Sequence, residues 1–153
     1  MSLLWLVFIL SSSVQAAEPS DTPVVETSSF IQNYDAIRVA LVKDQLDQAK
    51  TAAQALLALS TGNEAIHSAA SAVAASPDLT SCRKAFSDLS RVLILALSSS
   101  SPKIVVYHCP MYQGFGWWIQ QTSGVANPYM GTMMPECGEE VSLKAAARAA
   151  ALP

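Results

Sequence analysis

Apolar positions recur at helical spacing along most of the chain and lose that period after Leu97. Phe30, Tyr34, Ile37 and Leu41 share one face of a helix, and Ser28 or Ser29 is placed to cap its start by accepting a backbone N–H bond. Asp44 offers a new cap, followed by a second stripe of Leu46, Ala49, Ala53, Leu56 and Leu57. The two stripes fit either one bent helix or two helices joined near Val42 to Asp44. Ser60-Thr61-Gly62-Asn63 breaks the pattern: glycine suits a helix end, and Asn63 suits the next N-cap. Ile66, Ala69, Ala70, Val73 and Ala74 form a third face. Ser76-Pro77 interrupts it, because the residue before proline is pushed out of the helical region. Leu79, Cys82, Phe86, Leu89, Leu93 and Leu97 make the strongest stripe, ended by Ser98 to Pro102. These segments predict an all-α fold, a small up-and-down bundle of three to four helices, since short connections favour antiparallel neighbours. An irregular C-terminal loop segment is expected to follow, with Lys103 to Tyr107, KIVVY, as a strand or an extended strap.

The 153 residues suit one domain, expected over residues 29–140. The net charge of -3 lacks the basic footprint of a nucleic-acid binder, and no basic amphipathic helix suggests a membrane-surface protein. Leu3 to Leu10 is an unbroken apolar run too short to span a bilayer, so no stable membrane insertion is expected. With Ser11 to Ser13 and Val14-Gln15-Ala16 it reads as a signal peptide over residues 1–16, cleaved after Ala16. No Lys or Arg precedes the run, which leaves an uncleaved N-terminal anchor as the alternative. Export implies a periplasmic or secreted protein and an oxidising compartment for its cysteines. Residues 17–28, rich in Ser, Thr, Pro and acid, read as a flexible linker, and residues 141–153 as an Ala-rich, helix-prone tail.

The candidate chemistry is concentrated in residues 107–138, YHCPMYQGFGWWIQQTSGVANPYMGTMMPECG. This stretch holds Cys109 and Cys137 of the three cysteines, and Met111, Met130, Met133 and Met134 of the five methionines. Pro110 stiffens the backbone between Cys109 and Met111, and Asn127-Pro128-Tyr129 marks a second turn. Two turns thus carry two thiol-plus-thioether pairs able to converge on one ion. Thiolate and thioether sulfur suit Cu(I) and other soft or borderline metals. Zinc prefers four Cys, His or carboxylate ligands; Cys109, Cys137 and His108 supply three, with Glu136 or Glu139 as a fourth. Trp118 is placed to shield a bound cation with its indole face. A structural disulfide between Cys109 and Cys137 is the rival reading, worth roughly 3 kcal/mol by loop entropy. The methionines and aromatics equally fit a small hydrophobic core under the loop.

Cys82 shares the stripe of Leu79, Phe86 and Leu89 and reads as core. His67 has only Glu64 at helical spacing and reads as a packing or surface histidine. No CxxC and no His–acid pair beside a nucleophile are present, so an enzyme is not expected. No haem-attachment or phosphate-cradling motif is found.

From about Phe30 to Gly138 the chain resembles a bacterial domain-of-unknown-function family. Its members occur as small exported proteins and as C-terminal fusions to periplasmic adaptor subunits of resistance–nodulation–division heavy-metal efflux pumps. The specific part is His108-Cys109-Pro110-Met111, then Trp118, then Asn127-Pro128-Tyr129 with Gly131, then Met134, Cys137 and Gly138. ALVKDQLDQAKTAAQAL and CRKAFSDLSRVLILAL resemble the family's helical signatures. The resemblance implies copper or heavy-metal binding at Cys109, Met111, Met134 and Cys137, with His108 as a further ligand. It also implies periplasmic efflux components as partners. Met130 stands where an aromatic is commoner and Met133 is an extra thioether; both are further soft donors or space-fillers. No adaptor hairpin or barrel precedes the helices, so the chain reads as the stand-alone form.

Overall fold

The computed structural model describes residues 23–99 and 103–152, with side chains described from Ser29 onward. The expected signal peptide and the first part of the linker lie outside the described residues. Five helices, α1 (Pro23–Val42), α2 (Leu46–Leu59), α3 (Glu64–Ala74), α4 (Leu79–Leu97) and α5 (Leu143–Ala150), are joined by three strands. These are β1 (Val105–His108), β2 (Trp117–Gln120) and β3 (Glu139–Val141), forming an antiparallel sheet with β1 in the middle. The fold is therefore mostly helical rather than purely all-α.

Two of the strands were invisible for a physical reason. Trp117-Trp118-Ile119-Gln120 has strand-favouring side chains but is only four residues long, and Glu139-Glu140-Val141 has almost none. Both are drafted by pairing with β1, whose KIVVY signal was legible. Tyr107 sits opposite Trp118 on one neighbour and opposite Glu140 on the other.

The helical stripes bury as their spacing predicts. Tyr34, Ile37, Leu41, Ala49, Ala53, Leu56, Val73, Cys82, Phe86 and Leu89 are fully buried. Consecutive helices pack on one another, and α4 also carries β2 and α5. Tyr34 on α1 stacks on Phe86 of α4 at 4.9 Å, and its hydroxyl shares a 2.6 Å hydrogen bond with Ser90. Burial pushes the Tyr34 phenol far above its ordinary value, so it stays protonated at any physiological pH. Cys82 is core, as its stripe implied, and His67 Nδ1 lies 3.0 Å from Ser60 Oγ, tying α3 to the end of α2.

Several local expectations are corrected. The first helix begins at Pro23, inside the stretch read as linker, so Ser28 and Ser29 are interior rather than caps. Proline tolerates the first turn because its missing N–H has no helical partner there. α1 and α2 are separate helices, and Asp44 does not cap α2. Asp44 takes a left-handed φ of 57°, and its carboxylate faces Arg83 and Thr132 instead. Asn63 does cap α3, accepting from Ile66 N at 3.2 Å, and Asp78 caps α4, accepting from Ser81 N at 2.7 Å. The Ala-rich end forms α5, capped by Ser142, with Ala146 and Ala150 buried against the body. No described helix is long and apolar enough to cross a membrane.

Candidate metal centre

Two turns at the same end of the sheet present the two cysteines. The first turn extends β1. Cys109 N donates to Gly116 O at 2.8 Å, carrying the β1–β2 ladder one step past His108. Cys109 O then accepts from Tyr112 N at 3.3 Å, closing a turn with Pro110 at its second position, where proline's fixed φ is favoured. The second turn precedes β3. Met134 O accepts from Cys137 N at 3.2 Å, and Pro135 again takes the second position. The repetition of proline in Cys109-Pro110-Met111-Tyr112 and Met134-Pro135-Glu136-Cys137 was a readable turn signal at both sites; only Pro110 was used.

The β1–β3 pairing of His108 with Glu139 sets Cys109 beside Gly138 and brings the two thiols together: Cys109 Sγ and Cys137 Sγ lie 4.0 Å apart, both free. A glycine beside each cysteine makes the approach possible. A Cβ at Gly116 would stand 2.6 Å from Cys109 O, and one at Gly138 would stand 2.7 Å from Trp118 Cη2. Cys109 is fully buried and Cys137 is half-buried. Desolvation, then the adjoining Cys109 thiol, raises the Cys137 thiol above its ordinary value. A metal taken up there displaces a proton.

The second turn has little regular structure, and polar clamps hold it. Asn127, fully buried, is the main one. Its N–H donates to Pro135 O at 2.7 Å and its Nδ2 donates to Cys137 O. Its Oδ1 accepts from Tyr129 N at 2.8 Å and Met130 N at 3.1 Å. The helices grip the same segment. Arg38 of α1 donates to Ala126 O, Arg83 of α4 to Pro128 O, and Asp44 accepts from Thr132 and pairs with Arg83. Tyr129 closes the ring by donating to Trp117 O at 2.6 Å, with Tyr112 stacked on it at 4.3 Å. Sequence reasoning saw Asn127 as a turn residue and missed its hold on Cys137. It missed Arg38, Arg83 and Asp44 altogether, because long-range polar pairing leaves no period.

The expected donors are not all gathered. His108 and Cys109 are successive residues on one ladder and so face opposite sides of the sheet. The His108 ring lies tilted against Trp117, centroids 4.6 Å apart, and its Nδ1 pairs with Glu139 Oε1 at 3.2 Å. Among the described residues no group of three or more His, Cys, Asp or Glu side chains is arranged to hold a metal. The zinc-type set of Cys109, Cys137, His108 and a glutamate is therefore not assembled. Met134 opens the turn that Cys137 closes, and Met111 lies inside the turn that Cys109 opens. Both methionines are thus within one turn of a cysteine along the backbone, Met134 half-buried and Met111 62 % exposed. Met133 is 79 % exposed on a short 3-10 turn, and Met130 packs against the core. Trp118 is a buried wall behind Gly138, its Nε1 donating to Gln120 Oε1 at 3.1 Å. It buttresses the backbone next to Cys137.

Set against protein-family models, curated proteins and solved structures, the chain matches none of them.

Proposed function

We propose that the protein is an exported carrier of a soft metal ion, Cu(I) above all, held as cargo by the thiolates of Cys109 and Cys137. The observation that carries this reading is the 4.0 Å separation of the two sulfurs. Two metal–sulfur bonds of about 2.3 Å span at most about 4.6 Å, so the separation of the two sulfurs lies within reach of one bridging ion. Cu(I) accepts low coordination numbers, and a thioether binds it without losing a proton, which gives Met134 and Met111 their place as third and exchangeable donors. The exposed Met111 is where an incoming ligand from an acceptor displaces the first bond before a thiolate lets go. His108, occupied by Glu139 on the other face, is left out of the set. The resemblance of the two turns to the efflux-associated family supports placing this carrier beside a periplasmic metal-efflux system.

Reduced protein handled without oxygen takes up about one Cu(I) per chain in competition with a chromophoric chelator. The Cys109→Ser, Cys137→Ser double variant loses that uptake; unchanged affinity in the double variant would end the proposal. The same separation also favours a second reading, an interaction module closed by a Cys109–Cys137 disulfide. Cu(I) titration after full reduction separates them: the carrier binds about one Cu(I) once its thiols are free, and the closed module binds none even when reduced.

A further inference from the structure

The two sulfurs of the pair are not equivalent. Cys109 is fully buried, its carbonyl closing the turn to Tyr112 and its amide bonded to Gly116. Cys137 is half-buried at the end of its own turn, with only Gly138 between it and β3. The third thiol, Cys82, is fully buried in the helical core. A molecule in solution therefore reaches one sulfur of the three. Access decides which sulfur takes part in thiol–disulfide exchange, since the attack runs along the sulfur–sulfur axis.

We infer that Cys137 is a site of reversible exchange with a low-molecular-weight disulfide, and that Cys109 is its resolving partner. The Cys137 thiolate attacks one sulfur of the reagent, R–S–S–R. A mixed disulfide forms on Cys137 and one R–S⁻ leaves. The Cys109 thiolate, 4.0 Å away, attacks Cys137 Sγ, expels the second R–S⁻ and leaves a Cys109–Cys137 disulfide. The reagent's disulfide is reduced to two thiols, the protein dithiol is oxidised, and the two protein protons end on the two R–SH. In reverse, an external thiol attacks Cys137 Sγ, and buried Cys109 is the leaving group. Bond formation needs the sulfurs to close from 4.0 Å to about 2.05 Å, a motion that the turn ending at Cys137 can supply.

A consequence follows that rests on the carrier reading. The closed disulfide has no thiolate, so oxidation at Cys137 empties the metal site and an external thiol reopens it.

The test uses the reduced, metal-free full chain and glutathione disulfide, with acid quench and intact-mass analysis. Wild type ends lighter by two hydrogens and carries no glutathione. Cys109→Ser accumulates one glutathione, mapped to Cys137, and Cys137→Ser takes up none over the same time. Equal reaction of Cys137→Ser and Cys109→Ser, or a wild type that stops as the mixed disulfide, would overturn the inference. A variant-free measurement guards against misfolding of Cys109→Ser. In a brief iodoacetamide pulse on folded wild type, Cys137 labels ahead of Cys109 and Cys82, because it is the cysteine open to the reagent; equal labelling overturns the inference. Cu(I) titration of the reduced and closed forms separates the two readings. If the reduced form also binds none, the carrier reading fails while the exchange order stands.

Discussion

The helical body and the sulfur-bearing segment are held together by different physics. In α1 to α4 the work is done by buried apolar faces at a fixed period, with Ile37, Leu41, Leu56, Phe86 and Leu89 fully out of water. The segment after Leu97 joins the same core through Val106, Tyr107, Phe115, Trp118, Ile119 and Tyr129, but its turns depend in addition on hydrogen bonds between side chains and distant backbone. Asn127, Arg38, Arg83, Ser87 and Tyr129 each fix one strand or turn in this way. The body is redundant, and a lost contact is shared among many neighbours. The site region is not, because each turn hangs on a few named groups. On the carrier reading proposed above, that division would let the scaffold stay fixed while the two turns admit and release an ion.

The largest effect is expected where the body is cut. Leu89→Ala removes a fully buried side chain of α4, the helix that supports the others, and lowers unfolding free energy by about 2–5 kcal/mol in urea titrations. Metal uptake should fall only in step with the unfolded fraction. The opposite pattern is expected at Asn127→Ala. It strips Cys137 O and the Tyr129 and Met130 amides of their partner and costs about 1–3 kcal/mol locally. Far-UV circular dichroism should keep the helical signal while Cu(I) affinity drops roughly 10- to 100-fold, the range seen when a group supporting a metal ligand is lost. If Asn127→Ala melts the helices as fully as Leu89→Ala does, the two regions are not separate.

Gly138→Ala tests the close approach at smaller scale. Its Cβ would stand 2.7 Å from Trp118 Cη2 and 3.3 Å from His108 O, forcing the turn outward at a cost of about 1 kcal/mol or more. Slower disulfide closure between Cys109 and Cys137, followed by mass, together with changed tryptophan fluorescence, is the expected result. An unchanged closure rate would show that Gly138 does not set the thiol separation.

These contrasts also explain what the sequence disclosed. The helical stripes, the Asn63 cap and the Ser76-Pro77 break were legible because period and capping are local. The approach of Cys109 and Cys137 was legible in part: Pro110 marked the first turn, whereas the turn from Met134 to Cys137 went unread. The sheet was half legible: Val105 and Val106 announced a strand, but Glu139 and Glu140 pair only because β1 is already there. His108 was misleading because adjacency in sequence means opposite faces on a strand. Asp44 was misread as a helix cap because its partners, Arg83 and Thr132, come from far along the chain.

The smallest effect is expected at that latch. The Thr132 hydrogen bond, followed by Arg83, holds the Asp44 carboxyl below its ordinary value. The stabilisation is therefore fully present above the unfolded value of about 3.9 and is lost as pH falls through the lower folded value. With its side chain 34 % exposed, the latch contributes less than about 1 kcal/mol. Asp44→Asn should lower neutral stability by less than about 1 kcal/mol and flatten the acid limb of the stability–pH curve below about pH 4 by the same amount. An acid limb identical to that of wild type would remove Asp44 from the account.

The most direct test of the central claim is X-ray absorption at the copper edge of the Cu(I)-loaded, reduced protein. A first shell of sulfur only is expected, with two thiolates at ordinary metal–thiolate distance and a thioether beside them. It should be unchanged in His108→Gln and lost in the Cys109→Ser, Cys137→Ser variant. A shell with imidazole nitrogen, or one that persists without the two cysteines, would contradict it.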